Sequence, residues 1–378
     1  MRSEITALVT GGSGFIGRNL RVALGRLPKV RVLSFDQEDD PAVLEEHLRE
    51  ADIVYHLAGV NRPKDVEEFA RGNTGLTQSI ISILDRIGRT PAIVMSSSTQ
   101  AESDNPYGRS KKGAEDILFE YGERSGAQVF VYRLTNVFGK WSRPNFNSVV
   151  STFCHNIASG LEITISDPAN EVELVYIDDV VAEFVAILDG RREAPADCPG
   201  VGPTYRITLA ELAEKLYRFR DIRATLEIPD LSDGLTRKLH ATYLSYLEPT
   251  GFSYPLDIKT DNRGELAELI KSAQFGQMFV SRTHGGITRG NHHHDTKVEK
   301  FCVLEGEAAI RFRHLFSQEV IEYKVSGSRW EVVDIPPGYT HHIENLSDGE
   351  MIVLFWANQV FDPERPDTYF FPVVPEEC

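Results

Sequence analysis

Cysteine is scarce: 378 residues carry four, Cys154, Cys198, Cys302 and Cys378, far apart and without a CxxC pair. That excludes a disulfide-built scaffold or a cysteine zinc module and predicts a reduced, cytoplasmic protein. No uncharged apolar run approaches the length of a membrane span. Strand-like residues begin at Ile5, which leaves no room for a secretory leader, so none is expected. Positive charge is in deficit: 40 Lys and Arg face 56 Asp and Glu, a net charge of -16. General binding to nucleic acid or to an anionic membrane needs a broad basic face and is excluded. An anionic small molecule needs only a local pocket of amides with one or two cations, so it stays open. What remains is an ordinary soluble composition, 41% hydrophobic and 25% charged. The chain is too long for most single cores, and two domains are expected.

The first chemistry-bearing stretch is TGGSGFIGRNL, directly after the β-branched residues 5–9. Gly11, Gly14 and Gly17 stand in GxxGxxG spacing, and a helix-like segment and a second strand, VRVLSF, follow. The first glycine permits a tight turn. The second lets backbone amides approach a pyrophosphate at a helix N-terminus, and the third lets helix and strand pack closely. A dinucleotide is therefore the expected ligand, and Phe15 and Ile16, within the same stretch, are expected beside it. Asp36 closes the second strand, 19 residues after Gly17. A carboxylate there accepts hydrogen bonds from the adenosine ribose and favours NADH over NADPH; nearby Arg18 offsets the repulsion of a 2′-phosphate.

Further along, ADIVYHLAGV reads as strand three, with Leu57 and Ala58 in a small-residue loop beside the cofactor. PAIVMSSSTQA reads as strand four, ending in hydroxyls. The helix opened by NPYGRSKKGAEDIL carries Tyr107 and Lys111 one turn apart on one face. This is the arrangement of a phenol proton donor whose pKa is lowered by an adjacent ammonium. Ser98 or Thr99 orients the carbonyl oxygen.

These stretches, with RLTNVFG at 133–139 and VYIDDVVAE at 175–183, resemble the extended short-chain dehydrogenase/reductase family over residues 5–183. The resemblance implies a Rossmann-like doubly wound parallel sheet with a substrate lobe, acting on nucleotide sugars. It implies that Gly11, Gly14 and Gly17 hold the pyrophosphate and that Ser98, Tyr107 and Lys111 form the catalytic set. It places Asn136, Arg143, Asn145 and Asn147 near the sugar nucleotide. Only eight residues separate Ser98 from Tyr107, which keeps Thr99 in contention. The substrate lobe is expected around 195–234 and the boundary near 249–254, giving domains 1–250 and 251–378.

After residue 260 the pattern changes to short alternating runs, GQMFVS, KFCVLEG, AAIRFRHL, EVIEYKVS, RWEVVDIP and EMIVLFWA, punctuated by Gly, Pro and Asn. They predict an antiparallel barrel or jelly roll. Seven of the 11 histidines fall between His284 and His342. In HHHD, His292 and His294 are two apart and project to one face of a strand, with His293 on the other. With Glu299 and His341 they make a nitrogen/oxygen set suited to Zn, Fe, Ni or Mn. Zinc is the working expectation. The spacing Gly286, His292, His294, Glu299, Gly306, followed by Pro336, Gly338, His341, Asn345, resembles the cupin superfamily. That resemblance makes His292, His294, Glu299 and His341 the ligands and turns His293 and His342 outward. It departs at Trp330, where the pattern has glycine.

The order reductase then cupin, with HLAGVNRP, DNPYG, FGKW, TYLSYL, FSYPL, RGNH, EVVDIP and FDPERPDTYF, resembles the CapF-type bifunctional enzymes of surface-polysaccharide precursor synthesis. That resemblance implies C3 epimerisation of a UDP-2-acetamido-2,6-dideoxy-4-hexulose in the cupin. NADPH-dependent reduction at C4 then leads towards UDP-2-acetamido-2,6-dideoxy-L-talose, in a homodimer. Lys297, Glu299 and Tyr339 stand near the ligands, and none is assigned as the C3 base. Lys297 and Tyr339 read as loop positions. Two alternatives stay open: a single-function 4-ketoreductase with a structural metal-binding cupin, and a non-catalytic NADP sensor.

Overall fold

The computed structural model describes residues 4–374 apart from Lys64, Asp189 and Ala196; Cys378 lies outside the described residues. The chain divides into two compact units, Met1–Tyr217 with Lys238–Glu248, and Arg218–Arg237 with Pro249–Cys378. Segment 226–228 belongs to the second unit through its backbone: Lys271 N–H donates to the Leu226 carbonyl, and Ile228 N–H to that of Lys271. Among the described residues no helix is long and apolar enough to cross a membrane. The described cysteines, Cys154, Cys198 and Cys302, are free.

The first unit is built on five parallel strands, β1 (Ile5–Thr10), β2 (Val30–Phe35), β3 (Ile53–His56), β4 (Ala92–Ser98) and β5 (Val129–Leu134), in the order β2-β1-β3-β4-β5. Both faces are covered, so the strands carry buried runs such as residues 7–9, 53–55 and 93–95 rather than a one-sided alternation. Side chains still alternate between two cores. Val9, Tyr55 and Phe130 enter one with Phe184; Leu8, Val54 and Val131 enter the other with Leu48 and Ile81. Helix Leu76–Ile87 buries Thr77, Ile80, Ile81 and Leu84, the spacing of a single helical face.

Helix Pro106–Ser125 has unambiguous ends. Asn105 accepts the Gly108 N–H at 2.8 Å, Pro106 opens the first turn, and Gly126 closes it at φ +73°. Those ends fix Tyr107 in the first turn beside the carboxyl end of β4. A smaller sheet of β6 (Asn136–Phe138), β7 (Glu171–Tyr176) and β8 (Thr204–Thr208) completes the unit.

The second unit is built on the strands β9 (Ile258–Asp261), β10 (Gly264–Ser272), β11 (Gly276–Thr283), β12 (Thr288–His293), β13 (Glu299–Glu305), β14 (Glu307–His314), β15 (Val320–Ser326), β16 (Val332–Ile335), β17 (Tyr339–Asn345), β18 (Met351–Ala357) and β19 (Tyr369–Phe370). They pair antiparallel in two sheets, one in the order β16-β13-β18-β11-β10-β9 and the other β15-β14-β17-β12-β19. β18 buries every second residue, Met351, Val353, Phe355 and Ala357. The first three of these meet Phe301, Ile310, Phe312 and Ile343 in one core, the filling of a cupin-like jelly roll.

Candidate functional site

In the first unit the glycine loop is shaped by contacts that exclude side chains. Gly11 has φ +71°, and a Cβ there would lie 2.8 Å from Ala58 backbone atoms. A Cβ on Gly17 would lie 2.1 Å from the Gly11 carbonyl oxygen. Gly17→Ala is therefore expected to cost roughly 1–3 kcal/mol through overpacking. Its urea midpoint falls below wild type, whereas an unchanged midpoint would mean the loop is slack. Gly14 caps helix Phe15–Leu24 without a side-chain hydrogen bond, which leaves the N-terminal amides open to an anion.

A cleft of about 1250 Å³ opens over this loop. Gly11, Gly14, Phe15, Ile16, Gly17, Asp36, Leu57 and Ala58 line one side of it; Ser98, Thr99, Tyr107 and Lys111 line its middle. Asn136, Arg143 and Asn147 line the far side, while Asn145 faces an adjoining hollow of about 500 Å³ that shares Asn147 and Phe146. Asp36 also braces the loop from within, because its carboxylate accepts the Ser13 N–H at 3.0 Å and the Ser13 hydroxyl at 2.7 Å. It thus ties the glycine loop to the end of β2. Arg18 Nε donates to the Ser13 carbonyl at 2.6 Å, which holds a cation beside that carboxylate.

Tyr107 and Lys111 lie where their spacing puts them, and Ser98 is the hydroxyl that acts on the Tyr107 phenol. The electrostatics differ from the sequence expectation. Burial raises the Tyr107 pKa, with the Ser98 contact opposing it, and the lowering expected from Lys111 does not govern. The reason is that Lys111 is itself buried and donates to the Ser96 carbonyl at 2.8 Å. Burial lowers its pKa to about 8 against the pull of Glu115.

Three consecutive serines thus meet one face of helix Pro106–Ser125. Ser96 takes Lys111 through its carbonyl, Ser98 takes Tyr107, and Ser97 donates to buried Glu115 at 2.5 Å. Arg133 closes on the same carboxylate at 3.0 and 2.7 Å. Asn73 supports the site from the other side, bonding Val60 N–H and C=O and the Ser110 hydroxyl, whose proton goes to the Tyr107 carbonyl. Sequence reasoning missed Glu115, Arg133 and Asn73. Only Glu115 had a signal, as the next position on the Tyr107/Lys111 face.

In the second unit β12 and β17 pair so that His292 lies opposite His341, after a bulge at Gly290. His294 follows the end of β12, and Glu299 begins β13 in the facing sheet. One donor atom from each of His292, His294, Glu299 and His341 lies within 4.8 Å of the others. The His294 and His341 Nε2 atoms are buried without completing a hydrogen bond, although Glu299 Oε2 is 3.3 and 3.5 Å away. The Asp367 carbonyl accepts from His294 Nδ1 at 2.6 Å, which leaves the Nε2 lone pair facing the cluster. Burial, reinforced by the other two imidazoles, lowers His292 to about 4. Burial acts to raise Glu299, but the His294 and His341 contacts hold it at about 2. At neutral pH His292 is thus an uncharged imidazole and Glu299 a carboxylate, the forms that ligate a cation. Unpartnered buried nitrogens and this donor set fit a divalent metal.

Neither flanking histidine faces solvent freely. His342 is buried, with Nδ1 3.0 Å from Asn291 Oδ1. β17 is the middle strand of its sheet, and residues 372–373 cross the outer face, bonded to Arg313 and Asn291. His293 is half-buried and stacks on Tyr369 at 5.3 Å. Lys297 does lie on a loop but is buried, and Tyr339 begins β17 rather than lying in a loop.

Residues 7–198 match the NAD dependent epimerase/dehydratase family, and residues 259–369 match the polysaccharide biosynthesis C-terminal domain. A curated relative from Pseudomonas aeruginosa, UDP-2-acetamido-2,6-beta-L-arabino-hexul-4-ose reductase, is 45% identical over 362 residues, covering 96% of this chain and 97% of the relative. The crystal structure of capsular polysaccharide assembling protein CapF from Staphylococcus aureus matches with a TM-score of 0.91 at 45% identity, over 97% of this chain and 100% of that one. UDP-glucuronic acid 4-epimerase from Bacillus cereus, at 18% identity and a TM-score of 0.55 over 64% of this chain and 99% of its own, shares the fold. The chain therefore belongs to the CapF-type family, in which an NAD(P)-dependent oxidoreductase of the epimerase/dehydratase family is joined to a cupin-like polysaccharide biosynthesis C-terminal domain.

Proposed function

We propose that this protein is a bifunctional C3-epimerase and C4-reductase of a UDP-2-acetamido-2,6-dideoxy-4-hexulose. Its product is UDP-2-acetamido-2,6-dideoxy-L-talose, on the route to UDP-N-acetyl-L-fucosamine, and it works as a cytoplasmic homodimer. The observation that carries this is the match along nearly the whole chain to a reductase named for a 4-keto UDP-sugar. A second, separate donor cluster in the cupin-like unit supports the epimerase half. Residues 1–250 house the reduction and residues 251–378 the epimerisation.

The chemistry is coherent. A 4-ketone acidifies the C3 proton, so its removal and return on the opposite face inverts C3. His292, His294, Glu299 and His341 would hold a divalent cation, with zinc the first choice, and it would supply Lewis-acid charge at this site. Bound NADPH would supply the hydride for reduction at C4. Tyr107 gives its proton to the C4 alkoxide, Ser98 orients the carbonyl oxygen, and Lys111 holds the nicotinamide ribose. Gly11, Gly14 and Gly17 let backbone amides reach the pyrophosphate, and Asn136, Arg143, Asn145 and Asn147 receive the sugar nucleotide. Asp36 leaves NADH usable, with Arg18 offsetting it for NADPH. A lower KM for NADPH than for NADH is expected.

One observation favours a second reading. The Pseudomonas relative is named for the reductase step alone, which suits a 4-ketoreductase with a structural, dimer-forming metal site. Turnover of the 4-keto UDP-sugar with NADPH in deuterated water separates the two. NMR is expected to show deuterium at C3 and a new alcohol at C4. Reduction without deuterium at C3 would leave only the second reading, and no reduction would sink both.

A further inference from the structure

The stretch FDPERPDTYF, residues 361–370, has no part in the chemistry above. In the structure it closes over the ligand-bearing loop, and Asp367 is its pivot. Asp367 has φ +40°, a left-handed backbone that a residue with a side chain adopts only when its surroundings hold it there. From that position both ends of the residue act on the same site. Its carbonyl accepts the His294 Nδ1 hydrogen at 2.6 Å. Its carboxylate accepts three successive backbone N–H groups, those of Asp295, Thr296 and Lys297, at 2.9, 3.0 and 2.8 Å. The Thr296 hydroxyl adds a fourth bond at 2.9 Å.

The clasp is reciprocal. The Lys297 ammonium reaches back to the Pro366 carbonyl at 2.7 Å and the Thr368 hydroxyl at 3.2 Å. One step on, β19 pairs with β12, setting Phe370 opposite His292 and Tyr369 opposite His293. Two of the four donors, His292 and His294, are thus bracketed by a segment some 70 residues away in sequence.

We infer that Asp367 is the positioning residue of the metal site: it fixes the tautomer and ring direction of His294 and the path of the loop to Glu299. The physical case is that a ligating imidazole binds best when its other nitrogen donates to a fixed acceptor. Loss of such an outer partner typically weakens metal binding about 10–100-fold. A carboxylate spanning three consecutive amides holds the loop more firmly than neutral contacts do, because each bond is charge-assisted.

This inference rests on the metal reading of the cluster, and one experiment keeps the two apart. Zn²⁺ is titrated into metal-free, full-length protein against a chromophoric chelator. Wild type, Asp367→Asn, Thr296→Val and His292→Ala are compared, each with a thermal melt of the metal-free form. Wild type is expected to bind one Zn²⁺ per chain and His292→Ala to lose it. Asp367→Asn keeps the main-chain carbonyl on His294 and loses only the charge on the loop amides, so it is expected to bind about 10-fold more weakly, the low end of that range, and Thr296→Val a few-fold more weakly, with metal-free melts unchanged. Wild-type affinity in both Asp367→Asn and Thr296→Val, with His292→Ala still defective, overturns the role of Asp367 and leaves the metal site standing. Equal binding by wild type and His292→Ala overturns the metal reading itself. Affinity losses that track falling metal-free melts across the variants place Asp367 in the fold alone and also overturn the inference.

Discussion

Tyr107→Phe is expected to bind NADPH like wild type and to lose C4 reduction, with kcat falling about 10²–10⁴-fold. The phenol lies beside Ser98 at the end of β4, and phenylalanine keeps the ring that packs on Phe69 at 5.5 Å. The fold and the cofactor cradle are therefore preserved while the proton is removed. Cofactor fluorescence titration and stopped-flow hydride transfer measure the two halves separately. A variant that turned over at the wild-type rate would move the proton donor elsewhere. Loss of both binding and turnover would point to a structural role.

The pH profile supplies an independent readout. Burial raises the Tyr107 pKa, so the phenol keeps its proton through the neutral range. Lys111, lowered by burial to about 8, sheds its charge first as pH rises. Its ammonium is the group proposed to hold the nicotinamide ribose, so kcat/KM for NADPH is expected to fall as pH climbs through about 8. In Lys111→Arg the cation stays charged, and that falling limb moves to higher pH.

What the sequence disclosed and what it withheld follow from distance along the chain. The glycine loop, Tyr107 with Lys111, and His292 with His294 are local spacings, and local spacing sets which side chains share a turn or a strand face. His341 was reachable because its surrounding pattern of Pro336, Gly338 and Asn345 is also local. Asp367 was not, because its bonds to the loop at 295–297 span some 70 residues. The burial of His342 depends on the same distant segment crossing β17. Arg133 reaches Glu115 from the neighbouring strand, 18 residues on, a pairing that only the sheet order creates. The run GELAELIKS lies outside the stretches expected as strands, since Gly, Glu, Ala and Lys are weak strand formers. It becomes β10 because β9 and β11 pair with it on either side.

Glu299→Gln is the counterpart in the second unit. The substitution nearly preserves shape and removes the one negative charge among the four donors, whose ligating atoms otherwise belong to His292, His294 and His341. Wild-type protein gains stability from any cation that binds only the folded state, about 4 kcal/mol at a thousandfold excess over Kd. A chelator is therefore expected to lower the wild-type melting temperature of this unit and to leave that of Glu299→Gln unchanged. Deuterium exchange at C3 is expected to fall on the order of 10²–10³-fold, the usual consequence of removing charge stabilisation at a developing oxyanion. NADPH affinity is expected to stay at the wild-type value, because every cofactor-lining residue lies in the first unit. Wild-type C3 exchange in Glu299→Gln together with a lost chelator response would make the cation structural. The C3 base would then have to lie among groups that need no Lewis acid, and Lys297, whose burial favours the neutral amine that a base requires, is the first to replace.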